Sequence, residues 1–337
     1  MFKNKDEGEG PNKRLLPPFV QYTEWLRLSC LSVFLYVSGI NIPVIGVVLT
    51  LTSPAPISLL GIRQGTSKAF LAVVFIAAIL FPVFGDAGSM SFILSTGFLG
   101  IALGAIARKT NSAGETIFGL IIIMLISKLI LMWYMVNTRD FNPFILEESS
   151  IDALMKSLNV SGTSDDIVKA ITEQMKLLTP SFLIMAAGLD VFVNYLLVSK
   201  MESRRQKIIG ASPSIADEKT NEFKIHPLPP FELWSFPRSV LSAFFTAFLI
   251  TLFNASDSSS ILLSAELNLK VLTSVMFFIQ GISFAWWWML HKNFSYWARL
   301  SIFFFLMFIP IFSMGLIILG IMDIIINIRE KIRRDNK

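Results

Sequence analysis

The sequence predicts an all-α protein that crosses a membrane several times, and three observations support that prediction. Hydrophobic residues make up 53% of the 337 residues, and the mean hydropathy is +0.63. Only 16% of the residues are charged, against roughly 25% in an ordinary soluble domain. The charges fall in short blocks between apolar runs, several of them near the length of about 20 residues that crosses the hydrocarbon core as a helix. The strands of a membrane barrel would be shorter and would alternate.

The order of the apolar runs divides the chain into a core, a linker and a C-terminal set of helices. The runs are 26–40, 42–60, 69–84, 90–107, 117–135, 182–198, 240–253, 271–290 and 300–328. We expect no signal peptide before them. The predicted divisions are a disordered tail at 1–20, a six-helix core at 21–200 with a polar insertion at 138–178, a linker at 201–237, membrane helices at 238–330 and a basic tail at 331–337.

The last run, 300–328, is too long for one simple span, and Pro310 lies near its middle with Gly315 after it. One long helix and two short helices folded back near Pro310 both fit this pattern. The folded-back pair is preferred here because it keeps the basic C-terminal residues on the same side as the other basic segments. This choice gives ten hydrophobic helices, within an expected range of about eight to ten.

The distribution of basic residues predicts the orientation in a bacterial inner membrane. With the N-terminus in the cytoplasm, 23 of the 29 Lys and Arg residues lie on the inner side, as positive charges in membrane proteins prefer. Both termini and the linker are then cytoplasmic, and the insertion at 138–178 lies outside. Apolar residues recur at helical spacing at 151–158 and 167–178, with a capping-box-like start at Thr163–Asp166. The insertion is therefore either a packed cap or a mobile lid over a membrane cavity.

Catalytic and metal-binding signatures are absent from the sequence. It has no Gly-rich phosphate loop and no HExxH motif, and its two histidines, His226 and His291, lie near predicted cytoplasmic boundaries. The single Cys30 rules out an internal disulfide and a Cys-based metal site. We therefore expect no catalytic residue, no metal, no cofactor and no nucleic-acid partner, and we expect that the protein is not an enzyme.

Polar residues inside apolar runs are costly and mark candidate sites. Lys128 lies in the middle of the fifth run, and Asp190 lies at similar depth in the next, with Asn194 one turn later. These three residues form either a buried pair that makes insertion tolerable or a ligand or proton site, and Lys128 alone could also extend toward an interface. Asp323 is expected to pair with a nearby basic residue, and Gln280 to form an interhelical hydrogen bond.

Small and aromatic residues predict packing and interface positions. Gly97, Gly100 and Gly104 lie in the fourth run, where small residues let helices approach closely. In the stretch "LPPFELWSFPR", prolines favour an extended chain and aromatic residues suit the headgroup boundary, so it is interpreted as an interfacial segment, with a partner-protein groove as the alternative. The residues predicted to lie at the membrane interface are Phe231, Trp234, Phe236, Trp286, Trp287 and Trp288.

The sequence resembles the YybS-like family of bacterial membrane proteins. The resemblance is carried by "SPAPISLLGIRQG" (53–65), "GFLGIALGAIARK" (97–109), "NYLLVSKMESRR" (194–205) running on to "LPPFELWSFPR", and "LGIMDIIINIRE" (319–330). It covers most of the chain except the tail and the insertion. Because the biochemical activity of that family is not established, the resemblance implies a membrane location and no particular reaction.

The first six spans also resemble the substrate-binding S-components of energy-coupling-factor vitamin transporters and the rod-shape protein MreD. This likeness lies in the proline-containing hairpin and the Gly-rich fourth span, and it implies a fold rather than a function. The first span lacks the AxxxA spacing of S-components, and the C-terminal helices are additional. Two functions therefore stay open. One is binding or transport of a small molecule, and the other is a non-transporting scaffold for an envelope complex with other membrane proteins and lipid as partners.

Overall fold

The computed structural model describes residues 18–139, 165–210, 225–253, 260–329 and 331. Every regular element within these ranges is helical, which confirms the all-α fold. A π-helical segment, Phe92–Gly97, and a short 3₁₀ turn, Phe231–Leu233, lie between α-helices. The α-helices are α1 Pro18–Asn41, α2 Ile45–Thr52, α3 Pro54–Gln64, α4 Thr66–Ser91, α5 Phe98–Ile106, α6 Ala113–Arg139, α7 Asp165–Gly210, α8 Ser239–Phe253, α9 Ser260–His291, α10 Tyr296–Phe308 and α11 Pro310–Ile326.

Five helical segments in the described part of the chain are long and apolar enough to cross a membrane. Three shorter apolar helices accompany them, at Ser239–Leu252, Tyr296–Leu306 and Phe312–Ile326. The protein is therefore a multi-pass membrane protein. The five segments are Ile45–Gln64, Thr66–Ile106, Ala113–Thr138, Thr172–Gln206 and Ile261–His291.

The segment Thr66–Ile106 is not one straight helix. Its 41 residues would extend about 60 Å, twice the hydrocarbon thickness. The helix breaks at Gly85, whose φ of 68° favours glycine, three residues after Pro82. Beyond the break the chain folds back, because Ser89 Oγ lies 3.4 Å from the carbonyl oxygen of Ala77. The two halves correspond to the separate runs predicted at 69–84 and 90–107.

The run predicted at 42–60 contains a junction of two helices with only Ser53 between them, and together they form the candidate span Ile45–Gln64. α2 ends at Thr52 and α3 begins at Pro54, in the motif "SPAP". Proline has no N–H group to donate, so Pro54 and Pro56 cannot continue the hydrogen-bond ladder of α2. Proline does suit the first turn of a new helix, and the chain restarts there.

The structure corrects the expected boundaries around 165–210. The sequence predicted a second insertion helix ending near 178, a separate span at 182–198 and a linker beginning at 201. The structure instead has α7, one helix of 46 residues. Pro180 lies inside α7 without ending it, and Asn268 Oδ1 accepts from the N–H of the following residue, Ser181, at 2.7 Å. The helix predicted at 151–158 lies outside the described residues.

The chain forms two compact units. Their boundaries differ from those of the six-helix core at 21–200 and the membrane helices at 238–330 that the sequence predicted. The first unit contains Met1–Leu131 and Asp190–His226, and the second contains Met132–Leu189 and Pro227–Lys337. The first unit is centred on apolar side chains of α1, α3, α4 and the π-helical segment, including Tyr36, Ile76 and Phe92. The second unit is centred on Val240, Phe277 and Ile324.

The long last run divides into two helices, α10 and α11, as the two-helix alternative expected. Ile309 has an extended backbone between them. Their 13 and 17 residues correspond to about 20 and 26 Å, which is shorter than the hydrocarbon core of about 30 Å. Helix length therefore does not show on which side of the membrane the C-terminus lies, and that location stays a prediction. α11 packs directly on α9, since a Cβ at Gly281 would lie 1.9 Å from the carbonyl oxygen of Leu316 and one at Gly320 would lie 2.0 Å from that of Phe277.

Candidate functional site

The two charged residues of the predicted spans meet in the first unit. Lys128 Nζ on α6 lies 2.7 Å from Asp190 Oδ2 on α7, an ion-pair distance. Their side chains are 15% and 20% exposed, so the protein covers most but not all of the pair. In hydrocarbon each charge alone would be costly. The structure therefore brings the two predicted residues together, and the role of the pair stays a prediction.

Asn194 connects this pair to the interrupted helix α2–α3. Its Nδ2 donates to the carbonyl oxygens of Leu51 and Asp190, at 2.8 Å each. Leu51 lies in the last turn of α2, where carbonyl groups lack partners within the helix. Asn194 is fully buried, and its Oδ1 has no hydrogen-bond partner among the described residues. An unpartnered acceptor in a buried position is a place where a ligand donor would be stabilised.

Hydroxyl groups join the interrupted helix to the neighbouring helices. Ser53 Oγ lies 3.0 Å from Thr96 Oγ1 in the π-helical segment, and Ser32 Oγ on α1 donates to the carbonyl oxygen of Ser53 at 2.8 Å. Ser127, next to Lys128, donates to the carbonyl oxygen of Leu94, also in the π-helical segment. Segments of π-helix leave backbone groups unpaired and occur frequently at functional sites. The polar core thus includes groups from five helical elements.

The predicted glycine positions bring α5 against α3 and α4. A Cβ at Gly100 would lie 2.6 Å from side-chain atoms of Ile57, and one at Gly104 would lie 2.9 Å from Gly61 Cα. A Cβ at Gly97 would lie 2.5 Å from Val73 Cγ1. These helices pack closely because the glycines have no side chain, as the small-residue spacing predicted. The close packing fixes the framework around the interrupted helix.

A second charged cluster in the first unit was not predicted from the sequence. Arg63 at the end of α3 contacts Glu24 Oε1 at 2.7 Å and Glu202 Oε2 at 3.1 Å, and Arg205 contacts Glu202 Oε1 at 3.1 Å. Burial raises the pKa of Glu24, but the hydrogen bonds from Arg63 and Gln64 and the charge of Arg63 together lower it below its usual range. The only sequence signal was a set of charges flanking apolar runs, with no indication of the pairing.

The second unit contains a polar network that holds the segment 231–236. Asp323 Oδ2 on α11 lies 2.9 Å from Arg329 Nη2 and accepts from Gln280 Nε2 at 2.5 Å. Arg329 Nη1 donates to the carbonyl oxygens of Glu232 and Trp234, and Gln280 Oε1 accepts from the N–H of Phe236. Burial lowers the pKa of Arg329, and the neighbouring Asp323 opposes that shift. The expected local partner of Asp323 and the interhelical bond of Gln280 are both present.

Aromatic residues predicted at the interface lie in two places in the second unit. Ser283 Oγ on α9 donates to the carbonyl oxygens of Phe231 and Trp234, and Trp234 Nε1 donates to the carbonyl oxygen of Pro229. The Trp287 ring stacks on His291 with centroids 5.5 Å apart. Trp286 and Trp288 contact Phe303 and Phe294, respectively. The position of these rings at the headgroup boundary stays a prediction.

Two cavities lie away from the Lys128–Asp190 pair. One is a groove of about 390 Å³ in the first unit between α1 and α4. Its lining is largely apolar and includes Ser29 and Ser38. The other, of about 410 Å³, lies in the second unit beside Pro180 and Asn268. Among the described residues, no group of three or more His, Cys, Asp or Glu side chains is arranged to hold a metal ion.

Comparison with known proteins places the chain in a family. The family described as "Predicted membrane protein (DUF2232)" matches residues 30–324. The chain belongs to this family. It is also 24% identical over 310 residues to the uncharacterized protein YybS of Bacillus subtilis (strain 168), a match that covers 87% of the chain and 92% of that protein.

Membership in the DUF2232 family confirms the YybS-like resemblance and the membrane location. No solved structure matches the chain. The likeness of the first six spans to S-components and MreD therefore stays a prediction. The family description supplies no ligand or reaction, so a functional conclusion depends on the polar groups of the first unit.

Proposed function

We propose that the first unit binds a small polar molecule between α6 and α7 and carries it across a bacterial inner membrane. The Lys128–Asp190 pair is the observation that supports this most directly, because it lies near the middle of two apolar helices and remains partly accessible. The unpartnered Oδ1 of Asn194 lies one helical turn from Asp190. The proposal includes no chemical change of the bound molecule.

Stability alone gives little reason for an ion pair at this place. A charged side chain at the centre of a membrane helix costs about 2.5–3.5 kcal/mol on insertion scales. Replacing a buried pair with packed apolar residues is often neutral or stabilising. A partly accessible pair that the fold retains is therefore better explained by an interaction that apolar residues could not provide.

The chemistry of the polar groups defines the class of ligand. The Lys128 ammonium donates hydrogen bonds, whereas the Asp190 carboxylate and Asn194 Oδ1 accept them. A small zwitterion, or a neutral molecule with both carbonyl and N–H or O–H groups, matches both properties. Such a ligand would replace the direct Lys128–Asp190 contact with two contacts of its own, one to each residue. Neither charge would then be left without a partner.

The proline-containing junction of α2 and α3 beside the pair is the feature that suggests a transport role. In membrane transporters, substrate sites near the bilayer midplane are typically formed by discontinuous helices. Here the break between α2 and α3 is bonded to Asn194 through the carbonyl oxygen of Leu51. A ligand that engages Asn194 would therefore also affect the junction at which α2 and α3 meet.

Native mass spectrometry of the protein purified in lipid nanodiscs tests this proposal. We expect a retained small molecule in the unmodified protein, and its loss in Lys128→Met, in Asp190→Asn and in the double variant. Lys270→Met is the matched control, because it removes another ion pair of an apolar helix, Lys270–Glu266 at 2.5 Å. A folded protein without any retained molecule, or equal loss in the control, would argue against the site.

A non-transporting scaffold is the second candidate function. The groove of about 390 Å³ between α1 and α4 favours it, since apolar side chains such as Val33 and Ile79 line a surface that another membrane helix could fill. The two candidate functions predict different cellular outcomes for the Lys128→Met/Asp190→Leu double variant. A scaffold keeps its cellular function when that variant folds, whereas a transporter loses it.

A further inference from the structure

We propose that the turn between α9 and α10 holds the phosphate headgroup of an anionic phospholipid on Arg299. This inference is independent of the proposed small-molecule site in the first unit. It concerns the second unit, where α9 ends at His291 and α10 begins at Tyr296. The residues between and beside these ends are basic and aromatic, with the sequence "HKNFSYWAR".

The backbone of the turn is hydrogen-bonded without any lipid. The N–H groups of Lys292, Asn293 and Phe294 donate to the carbonyl oxygens of Trp288, Leu290 and Met289, respectively. Asn293 has a φ of 56°, a left-handed conformation that asparagine tolerates. Ser295 caps α10 by accepting from the N–H of Ala298. The basic residues are therefore presented at fixed positions, which lowers the entropy cost of binding.

Within the described part of the chain, the guanidinium of Arg299 lies against aromatic rings and pairs with no carboxylate. Its Cζ lies 5.3 Å from the ring centroid of Trp286 and 6.0 Å from that of Tyr296. Its Nε is buried and has no hydrogen-bond partner among the described residues. Arg63 and Arg329, in contrast, each contact a carboxylate. Ring faces stabilise the cation without occupying its N–H donors, so the donors stay available to an anion.

The charge of the surrounding sequence favours an anion. No Asp or Glu occurs between Glu266 and Asp323, whereas Lys292 and Arg299 both lie in this interval. A guanidinium binds phosphate through two parallel hydrogen bonds that a lysine ammonium cannot reproduce.

The location of the turn identifies the source of the phosphate as a lipid. It follows α9, an apolar helix of 32 residues long enough to span a membrane. The ends of such helices lie at the depth of the headgroups, where aromatic residues are enriched. Tyr296 and Trp297 are well exposed on the first turn of α10. They can contact the glycerol and upper acyl region while Arg299 binds the phosphate, an arrangement that free phosphate would not require.

The test compares phosphatidylglycerol with phosphatidylcholine on the full-length protein by native mass spectrometry and thermal unfolding. We expect the unmodified protein to retain phosphatidylglycerol and to be stabilised by it. In Arg299→Gln the preference for phosphatidylglycerol over phosphatidylcholine should be about tenfold smaller, because a charge-assisted bidentate contact is lost. Arg299→Lys keeps the charge and should lose most of the preference. If Arg299→Gln fails to fold, Arg299→Lys decides the result.

Arg238→Gln is the matched control, because Arg238 is an exposed arginine of the same unit. It should retain the full preference for phosphatidylglycerol. Equal losses in the Arg299 and Arg238 variants would indicate diffuse charge attraction and overturn the proposal. Equal stabilisation by inorganic phosphate would overturn the lipid as the source. Full retention of the preference in Arg299→Lys would overturn the bidentate contact.

Discussion

The two units each contain a charged group inside apolar helices, but they use it differently. In the second unit, Asp323 is 4% exposed and takes part in a network that joins α9, α11 and the backbone of segment 231–236. In the first unit, Lys128 and Asp190 have one direct contact with each other and remain partly accessible. The many links of the second unit fit a structural role, whereas the pair of the first unit, beside an unpartnered acceptor, is the basis of the ligand site proposed above.

The largest effect is expected from breaking the network of the second unit. Asp323→Ala removes a buried carboxylate, leaves the partly buried Arg329 without its ion-pair partner and should lower the free energy of unfolding by about 3–5 kcal/mol. Thermal or denaturant unfolding in detergent measures this loss. Glu232→Gln is the control, since Arg329 binds the backbone oxygen of Glu232, which that change retains. A loss of less than about 1 kcal/mol, the value expected for an exposed ion pair, would contradict a structural role of Asp323.

Separating α9 from α11 should produce the next largest effect. Gly281→Ala places a methyl group 1.9 Å from the carbonyl oxygen of Leu316, and overpacking of this kind costs about 1–3 kcal/mol or more. The control is Gly315→Ala on α11, where a Cβ meets nothing within 4 Å. The two variants should differ clearly in unfolding temperature. If they unfold alike, the close approach of α9 and α11 is wrong.

The ion pair of the first unit should contribute less to stability. Lys128→Met or Asp190→Leu should each lower the free energy of unfolding by about 1–2 kcal/mol, because each change leaves one partly buried charge without its partner. The double variant should cost less than the sum of the two changes, since no charge is then left unpaired. A double-mutant cycle measures this coupling. Strictly additive effects would contradict a direct pair.

The smallest effect concerns pH and Glu24. Because the pKa of Glu24 is lower in the folded protein, its contribution is fully present above the unfolded value of about 4.3 and is lost as pH falls through the folded pKa. Glu24→Gln should therefore be less stable than the unmodified protein at neutral pH, and this difference should shrink in acid. Glu173→Gln, at an exposed position of α7, is the control for the general effect of removing one carboxylate. A difference that persists below the folded pKa would exclude the Arg63 contact as its cause.

The sequence was sufficient to predict features that lie within a single apolar run, such as a charge, a proline break or a glycine spacing. A charge within an apolar run is visible without a structure, so Lys128, Asp190 and Asp323 could all be identified. Their depth in consecutive spans also predicted that Lys128 and Asp190 would be neighbours. The break at Pro310 followed from the geometry of proline, and the glycines of α5 followed from their spacing.

Other features required the folded chain. Arg63 pairs with Glu24 and Glu202, which are 39 and 139 positions away, and charges near helix ends have many possible partners. Asn194 binds the backbone of Leu51, and a backbone acceptor has no sequence signature. The length of α7 was missed because the polar composition of 138–178 was interpreted as a separate insertion, while in the structure the helix continues past Pro180 and Asn268 accepts from the N–H of Ser181.

The position of Asp323 on α11 has a consequence for biogenesis. During synthesis α9 emerges before α11, so Gln280 is already present when the helix that contains Asp323 reaches the membrane. A carboxylate inside α11 opposes insertion of that helix alone, whereas Gln280 and the glycine-lined face of α9 provide both a hydrogen-bond donor and a close packing surface. The insertion machinery would therefore need to retain α9 nearby until α11 arrives. The order of the helices along the chain thus sets the order in which the second unit can be assembled.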